Sequence, residues 1–297
     1  TEALYSQTLV GYFRPAAPLS EPDLYCDNDV SSAYHANMKS WGHYVDVEWP
    51  FGYYDVPDVK IWPDLGVHAS RAGNFIDVYC SSRALRNPKY ELPRKMLPML
   101  PAKQSQAGAI FMAPSRYHNF YHWMIDIIPR LQHLGPALDE GLPVVVPAQL
   151  RPHARRALRL ALDGLGYAET EIRLLDNRAH QFKRLILPTN LVTTLDVSAQ
   201  QRSFLRSSFM RDTQPVSPNR RLYVSRRDAH LRRVANEEEL APLLRQRGFE
   251  TVTLGNLDIV EQASLFANAE VIISHHGAGL TNLAFCSPGT LIVEIHQ

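Results

Sequence analysis

The spacing of apolar residues changes character near residue 108. Before that point no period persists. Aromatics and prolines alternate in Trp49-Pro50-Phe51-Gly52-Tyr53-Tyr54, apolar runs at 59–62 and 75–79 predict short strands, and the proline-studded stretch 92–101 reads as a linker. From Gly108 onward, short apolar runs alternate with stretches of helical spacing. Strands are predicted at 109–112, 143–146, 172–175 and 182–187, and helices at 117–134, 153–165 and 199–210, the first of them kinked by Pro129. The polar, proline-bearing segment 213–219 then reads as a hinge.

Past the hinge the alternation is clearest, with strands predicted at 222–224, 251–254, 271–273 and 291–295. One helix starts after Asn236, with Glu239 completing a capping box, Leu240, Leu243 and Leu244 facing inward and Gly248 as its stop. A second spans 258–267 with Ile259, Ala263 and Phe266 inward, and a third opens within 276–282. Strands alternating with helices imply βαβ units and a parallel sheet. The expected fold class is therefore α/β: an irregular, β-containing segment (1–105) packed on two Rossmann-like lobes, 106–212 and 213–297. Ligands of such sheets bind at the carboxyl ends of strands, which directs attention to the residues just after Met112, Val224 and Ile273.

Composition narrows the field. Of 297 residues, 45% are hydrophobic and 21% charged, as in a globular chain rather than a disordered one. Lys+Arg total 31 against 30 Asp+Glu, so no global field recruits nucleic acid and any anion site must come from local clustering. Cys26, Cys80 and Cys286 cannot all pair within one chain and match no zinc spacing, which favours a reduced, cytoplasmic setting. No basic and apolar leader pattern opens the sequence, and no stretch approaches the roughly 18 apolar residues of a membrane span.

Local clusters carry the candidate chemistry. Ser274-His275-His276-Gly277-Ala278-Gly279-Leu280-Thr281-Asn282 sets two glycines at a strand-to-helix turn, where backbone N–H groups and the helix dipole favour an anion such as a diphosphate. The plainer reading is a tight turn with a capping His. Ser225-Arg226-Arg227-Asp228-Ala229-His230-Leu231-Arg232-Arg233 follows another strand of the same small sheet, and guanidinium forks bind phosphate oxygens bidentately. Two anion-favouring elements on one sheet edge outweigh the reading of a solvated basic loop. Glu294 ends the last strand, where a carboxylate can accept ribose hydroxyls.

In Tyr117–Arg130, His118, His122, Asp126 and Arg130 recur at i+4, so a carboxylate lies beside imidazoles as a general base requires. His118 and His122 could instead ligate a metal, but no third ligand is evident. Asp27-Asn28-Asp29 has a D-x-D form but reads as a turn.

Taken together, the blocks Asn119-Phe120-Tyr121-His122-Trp123-Met124-Ile125-Asp126, Tyr223-Val224-Ser225-Arg226, Arg232-Arg233-Val234-Ala235-Asn236-Glu237, His276–Asn282 and Val293-Glu294-Ile295 resemble glycosyltransferase family 61. That family includes plant β-1,2-xylosyltransferases, the EGF-domain O-linked N-acetylglucosamine transferase and bacterial capsule and lipopolysaccharide enzymes. The resemblance covers roughly residues 108–297 and implies an inverting, metal-independent enzyme of GT-B fold, its two lobes facing a cleft. It implies no cofactor, a nucleotide-sugar donor, usually a UDP-sugar, and a glycan or lipid-linked acceptor in surface polysaccharide synthesis. It places such an enzyme in the cytoplasm, including the inner membrane face. By the same resemblance Arg226 and Arg232 grip the donor diphosphate, while His276, Gly277, Ala278, Gly279, Leu280, Thr281, Asn282 and Glu294 hold nucleotide and phosphates. Asp126 and His122 are the catalytic candidates, with Asp126 as base or acceptor-orienting group, and His118, Asn119 and Tyr121 are candidate acceptor or sugar contacts. The family's C-terminal lobe usually continues beyond the V-E-I strand, and the resemblance does not extend to residues 1–105. A sugar-nucleotide epimerase of the same fold and a non-catalytic nucleotide-sugar-binding protein are the competing readings.

Overall fold

The computed structural model describes residues 9–13, 51–63, 67–70, 101–112, 117–188, 197, 199–211, 217–230 and 232–296. The expected strand at 75–79, most of the 92–101 linker, the Asp27–Asp29 turn, Cys26, Cys80 and residues 212–216 of the hinge lie outside them. The chain forms two α/β units, each with its own sheet. The first holds the described residues before 113 with Arg130–Ala148 and Glu171–Gln201; the second holds Arg116–Pro129, Gln149–Thr170 and Arg202–Gln297.

Among the described residues the first unit has a seven-stranded sheet of β1 (Leu9–Phe13), β2 (Phe51–Trp62), β3 (Val67–Ser70), β4 (Lys103–Phe111), β5 (Val144–Pro147), β6 (Ile172–Leu175) and β7 (His180–Pro188). The order is β1-β2-β7-β4-β5-β6, with β3 beside β2. β7, β4, β5 and β6 run parallel, and β2 joins them antiparallel. Ile110, Phe111 and Val144 to Val146 are fully buried, as a parallel sheet covered on both faces requires. The strand expected at 59–62 is the end of the 12-residue β2, whose register runs from Tyr53 opposite Pro188 to Ile61 opposite His180. Pro57 has no N–H to give. It falls where the β1 partner (through Tyr54) gives way to β3 (from Val59), so no ladder bond is lost on that side.

In the second unit β8 (Arg220–Ser225), β9 (Phe249–Thr253), β10 (Ala269–His275) and β11 (Leu291–Ile295) form an all-parallel sheet in the order β11-β10-β8-β9. The chain leaves β8 toward β9 on one side and returns to β10 on the other. That reversal makes the carboxyl ends of β8 and β10 the topological switch point, where open α/β sheets bind ligands. Helix α1 (Gly135–Asp139) belongs to the first unit. Around the second sheet are α2 (Pro152–Gly164), α3 (Ala199–Phe209), α4 (Glu237–Gln246) and α5 (Ile259–Ala267). Arg156 of α2 pairs with Asp258 at 3.2 Å, Arg206 of α3 donates to the carbonyls of Phe285 and Cys286, and Phe209 meets Phe285 edge to face at 6.2 Å.

Three local expectations change. The segment expected as one kinked α-helix winds as a π-helix over His122–Ile127 and a 3-10 helix over Ile128–His133. Pro129 lacks the N–H that would bond back, and its ring crowds the preceding turn, so the coil widens before it and tightens after it. α4 starts after Asn236 without a side-chain capping bond. Its buried residues are Ala241 and Leu244, with Leu243 half exposed. The reciprocal box sits at α5 instead. Asp258 Oδ1 accepts from Val260 and Glu261 N–H (2.8 and 3.0 Å), and Glu261 accepts from Asp258 N–H at 2.7 Å, a cap worth about 1 kcal/mol. Lastly, the helix expected within 276–282 is a 3-10 helix over Ala278–Phe285. Among the described residues, no helix is long and apolar enough to cross a membrane.

Candidate active site

The register of the second sheet assembles the first cluster. Ile273 lies opposite Tyr223 and Ser274 opposite Val224, so the chain leaves β8 and β10 side by side. Arg226 emerges from β8 and lays its guanidinium over Gly277. A Cβ at that glycine would stand 1.9 Å from Arg226 Nη1, so any side chain there would push the guanidinium aside. Arg226 Nε donates to the Arg232 carbonyl at 3.2 Å, and Arg232 Nη1 reaches the His276 carbonyl at 3.5 Å. Arg226, Arg232, His276 and Gly277 are thereby brought together at the switch point. Partial burial, then the neighbouring Arg232 charge, lowers the Arg226 pKa. Two guanidiniums that disfavour each other gain from an anion that bridges them. The first turn of the 3-10 helix after Gly277 adds backbone N–H groups at the same edge.

Inside that turn Thr281 and Asn282 are buried, Asn282 completely. Asn282 Nδ2 donates to Gly279 O (3.1 Å) and Gln262 Oε1 (2.8 Å), so this side chain shapes the turn from behind. Ala278, Gly279 and Leu280 are half-buried along it. Glu294 is exposed, and its two oxygens each take an imidazole: His276 Nδ1 at 2.7 Å and His296 Nε2 at 3.2 Å, with the two rings stacked 5.2 Å apart. The ligand atoms of His276, Glu294 and His296 lie within 4.8 Å of one another. Two imidazoles and one carboxylate suit a zinc-like ion better than magnesium or calcium, yet each imidazole already spends one ring nitrogen on a Glu294 oxygen.

The second cluster lies on the π-helix. His122 Nδ1 and Asp126 Oδ2 are 2.6 Å apart, and both side chains are about one-fifth exposed. A carboxylate only accepts, so this bond places the His122 proton on Nδ1 and leaves Nε2 as the basic nitrogen. The pair is anchored from below. Trp123, Met124, Ile125 and Ile127 are buried, and Trp123 Nε1 donates to Ala154 O of α2 at 3.0 Å. Asn119 opens the segment by accepting Tyr121 N–H on its side chain and Trp123 N–H on its carbonyl, both at 2.9 Å. It is exposed, as is His118, whose ring lies tilted against Tyr117 with centroids 3.9 Å apart; Tyr121 meets His122 edge-on at 5.4 Å. Arg130, fourth on the expected stripe, is buried and belongs to the first unit.

A family model described as Glycosyltransferase 61 matches residues 120–293. The chain belongs to the glycosyltransferase 61 family. The matched span takes in the His122–Asp126 pair, both arginines and the glycine turn, and stops one residue short of Glu294. A plant relative, the beta-1,2-xylosyltransferase XAX1 of Oryza sativa subsp. japonica, is 36% identical over 83 residues, which is 28% of this chain and 14% of that protein's length. Sequence reasoning did not single out three residues that support or flank these clusters: Gln262, Asp228 and His296. Asp228 and His296 stood beside motif residues, and Gln262 is the one polar side chain on the buried face of α5.

Proposed function

We propose that the chain is an inverting, metal-independent glycosyltransferase that moves a sugar from a UDP-sugar to a hydroxyl acceptor. The observation that carries the reading is the Arg226 guanidinium laid over Gly277, with Arg232 beside it, at the switch point of an all-parallel sheet. In this reading the acceptor oxygen bonds to the anomeric carbon while the bond from that carbon to the diphosphate oxygen breaks. His122 Nε2 takes the acceptor proton, and Asp126 holds Nδ1–H and stabilises the imidazolium that forms. Negative charge grows on the departing diphosphate, where Arg226, Arg232 and the turn amides are already in place and need no reorganisation. Displacement from one face turns an α-linked donor into a β-linked product. The GT-B assignment, a polysaccharide or lipid-linked acceptor and work at the inner membrane face belong to the same proposal. In its support, the second unit has an all-parallel sheet and the first contains the parallel run β7-β4-β5-β6 within a mixed sheet.

The test is calorimetric titration with UDP, GDP, CMP and UDP-sugars in the presence of EDTA, followed by NMR of the product's anomeric coupling. Tightest binding of the UDP series and a β-product are expected. No binding of any nucleotide, or turnover that EDTA abolishes and manganese restores, overturns the reading.

A further inference from the structure

The two halves of the arginine–glycine cluster are also joined behind the surface, through residues the proposed chemistry does not touch. The arginine loop turns at Arg226, whose carbonyl accepts from Ala229 N–H at 2.9 Å, and within that turn Asp228 Oδ2 accepts from Gly255 N–H at 3.1 Å. The contact is close enough that a Cβ on Gly255 would stand 2.6 Å from the same oxygen. Gly255 sits in the short 3-10 turn Leu254–Asn256. From α5, Gln262 spends both amide hydrogens on that turn and the residue after it, donating to Leu254 O (3.1 Å) and Leu257 O (3.0 Å). Its oxygen accepts from Asn282 Nδ2, which also holds Gly279 O. A continuous path runs from the arginine loop through Asp228, the 254–257 turn, Gln262 and Asn282 to the glycine turn.

Gln262 is 8% exposed and Asn282 is fully buried. In such surroundings each bond is strong and each lost partner is costly, so the Leu254–Gln262–Asn282 stretch of the path behaves as a rigid spacer, tied to the arginine loop by the exposed Asp228–Gly255 bond. An Arg fork bridges two phosphate oxygens only at a fixed spacing from the amides that hold the others. We propose that Gln262 and Asp228 are positioning residues that set the gap between Arg226 and the 277–282 turn, and so the affinity of the site for a diphosphate. This rests on the reading of that cluster as the donor site.

The full chain is titrated with inorganic pyrophosphate and with UDP well below its melting temperature, and Tm is measured alongside. Arg226→Ala removes a direct contact and serves as the reference. Gln262→Met keeps the side chain's length but loses all three hydrogen bonds, and is expected to weaken pyrophosphate about tenfold. Asp228→Ala, at an exposed position, should do the same without endangering the fold, whereas Asp228→Asn, whose amide oxygen still accepts Gly255 N–H, should stay within about threefold of the parent. If Gln262→Met and Asp228→Ala lower Tm but bind as the parent does, while Arg226→Ala loses binding, the residues are merely structural and the inference is overturned with the donor reading intact. If Arg226→Ala also binds like the parent, the donor reading fails and takes the inference with it.

Discussion

The arginine–glycine cluster and the His122–Asp126 pair are built by opposite means. The cluster is set by sheet register and a buried amide relay, so its parts come from residues as far apart in sequence as Arg226 and Gly277 yet are held from several sides. The pair needs one irregular turn of helix and one buried indole beneath it. A binding site made from strand ends resists distortion because the ladder and the core both define it. A proton-transfer pair made on a π-turn depends on a single local deviation that Pro129 helps to impose. Binding and proton transfer should therefore fail separately.

The largest expected effect tests that separation. His122→Ala should lower kcat by roughly 10²–10⁴-fold while leaving pyrophosphate affinity unchanged. Equal losses in binding would show that the two regions are one. Gly277→Ala should do the reverse: its Cβ collides with Arg226, and displacing that guanidinium should weaken pyrophosphate by about 100-fold, with kcat at saturating donor far less affected. Raising ionic strength from about 0.05 to 0.5 M should weaken diphosphate binding several-fold through screening of the half-exposed arginines, and should not alter the rate of the bound complex. Asp258→Ala, which removes the α5 cap, should cost about 1 kcal/mol of stability, read as a Tm lower by a few degrees, and weaken pyrophosphate less than Gln262→Met does, with kcat unchanged.

Much of the second sheet was legible because parallel buried strands announce themselves as short apolar runs. The runs at 222–224 and 271–273 fall inside β8 and β10, and the glycine turn and arginine loop follow their strands as the spacing indicates. What stayed hidden depends on partners distant in sequence. β2 extends from four residues to twelve because β7, more than a hundred residues later, supplies a ladder for the aromatic stretch around Tyr53. Asn236 and Asp258 both precede an acidic residue three positions on, and only the three-dimensional setting decides that Asp258 makes the reciprocal box. Gln262 reads in sequence as a blemish on an apolar face; its value appears only when Leu254, Leu257 and Asn282 close around it.

The interleaving of the chain has a consequence for anyone who would dissect it. The polypeptide passes between the two units five times, and α2 is spliced into the connection between β5 and β6 although it belongs with the other sheet. A gene cut at the polar stretch after residue 211 would yield a fragment bearing the four parallel strands but stripped of Arg156, Arg206 and Phe209, leaving Asp258 and Phe285 facing solvent. Such a fragment carries every guanidinium and glycine of the cluster and still lacks the walls that hold them. Recovering a working half from this protein requires stitching three separate stretches of coding sequence together.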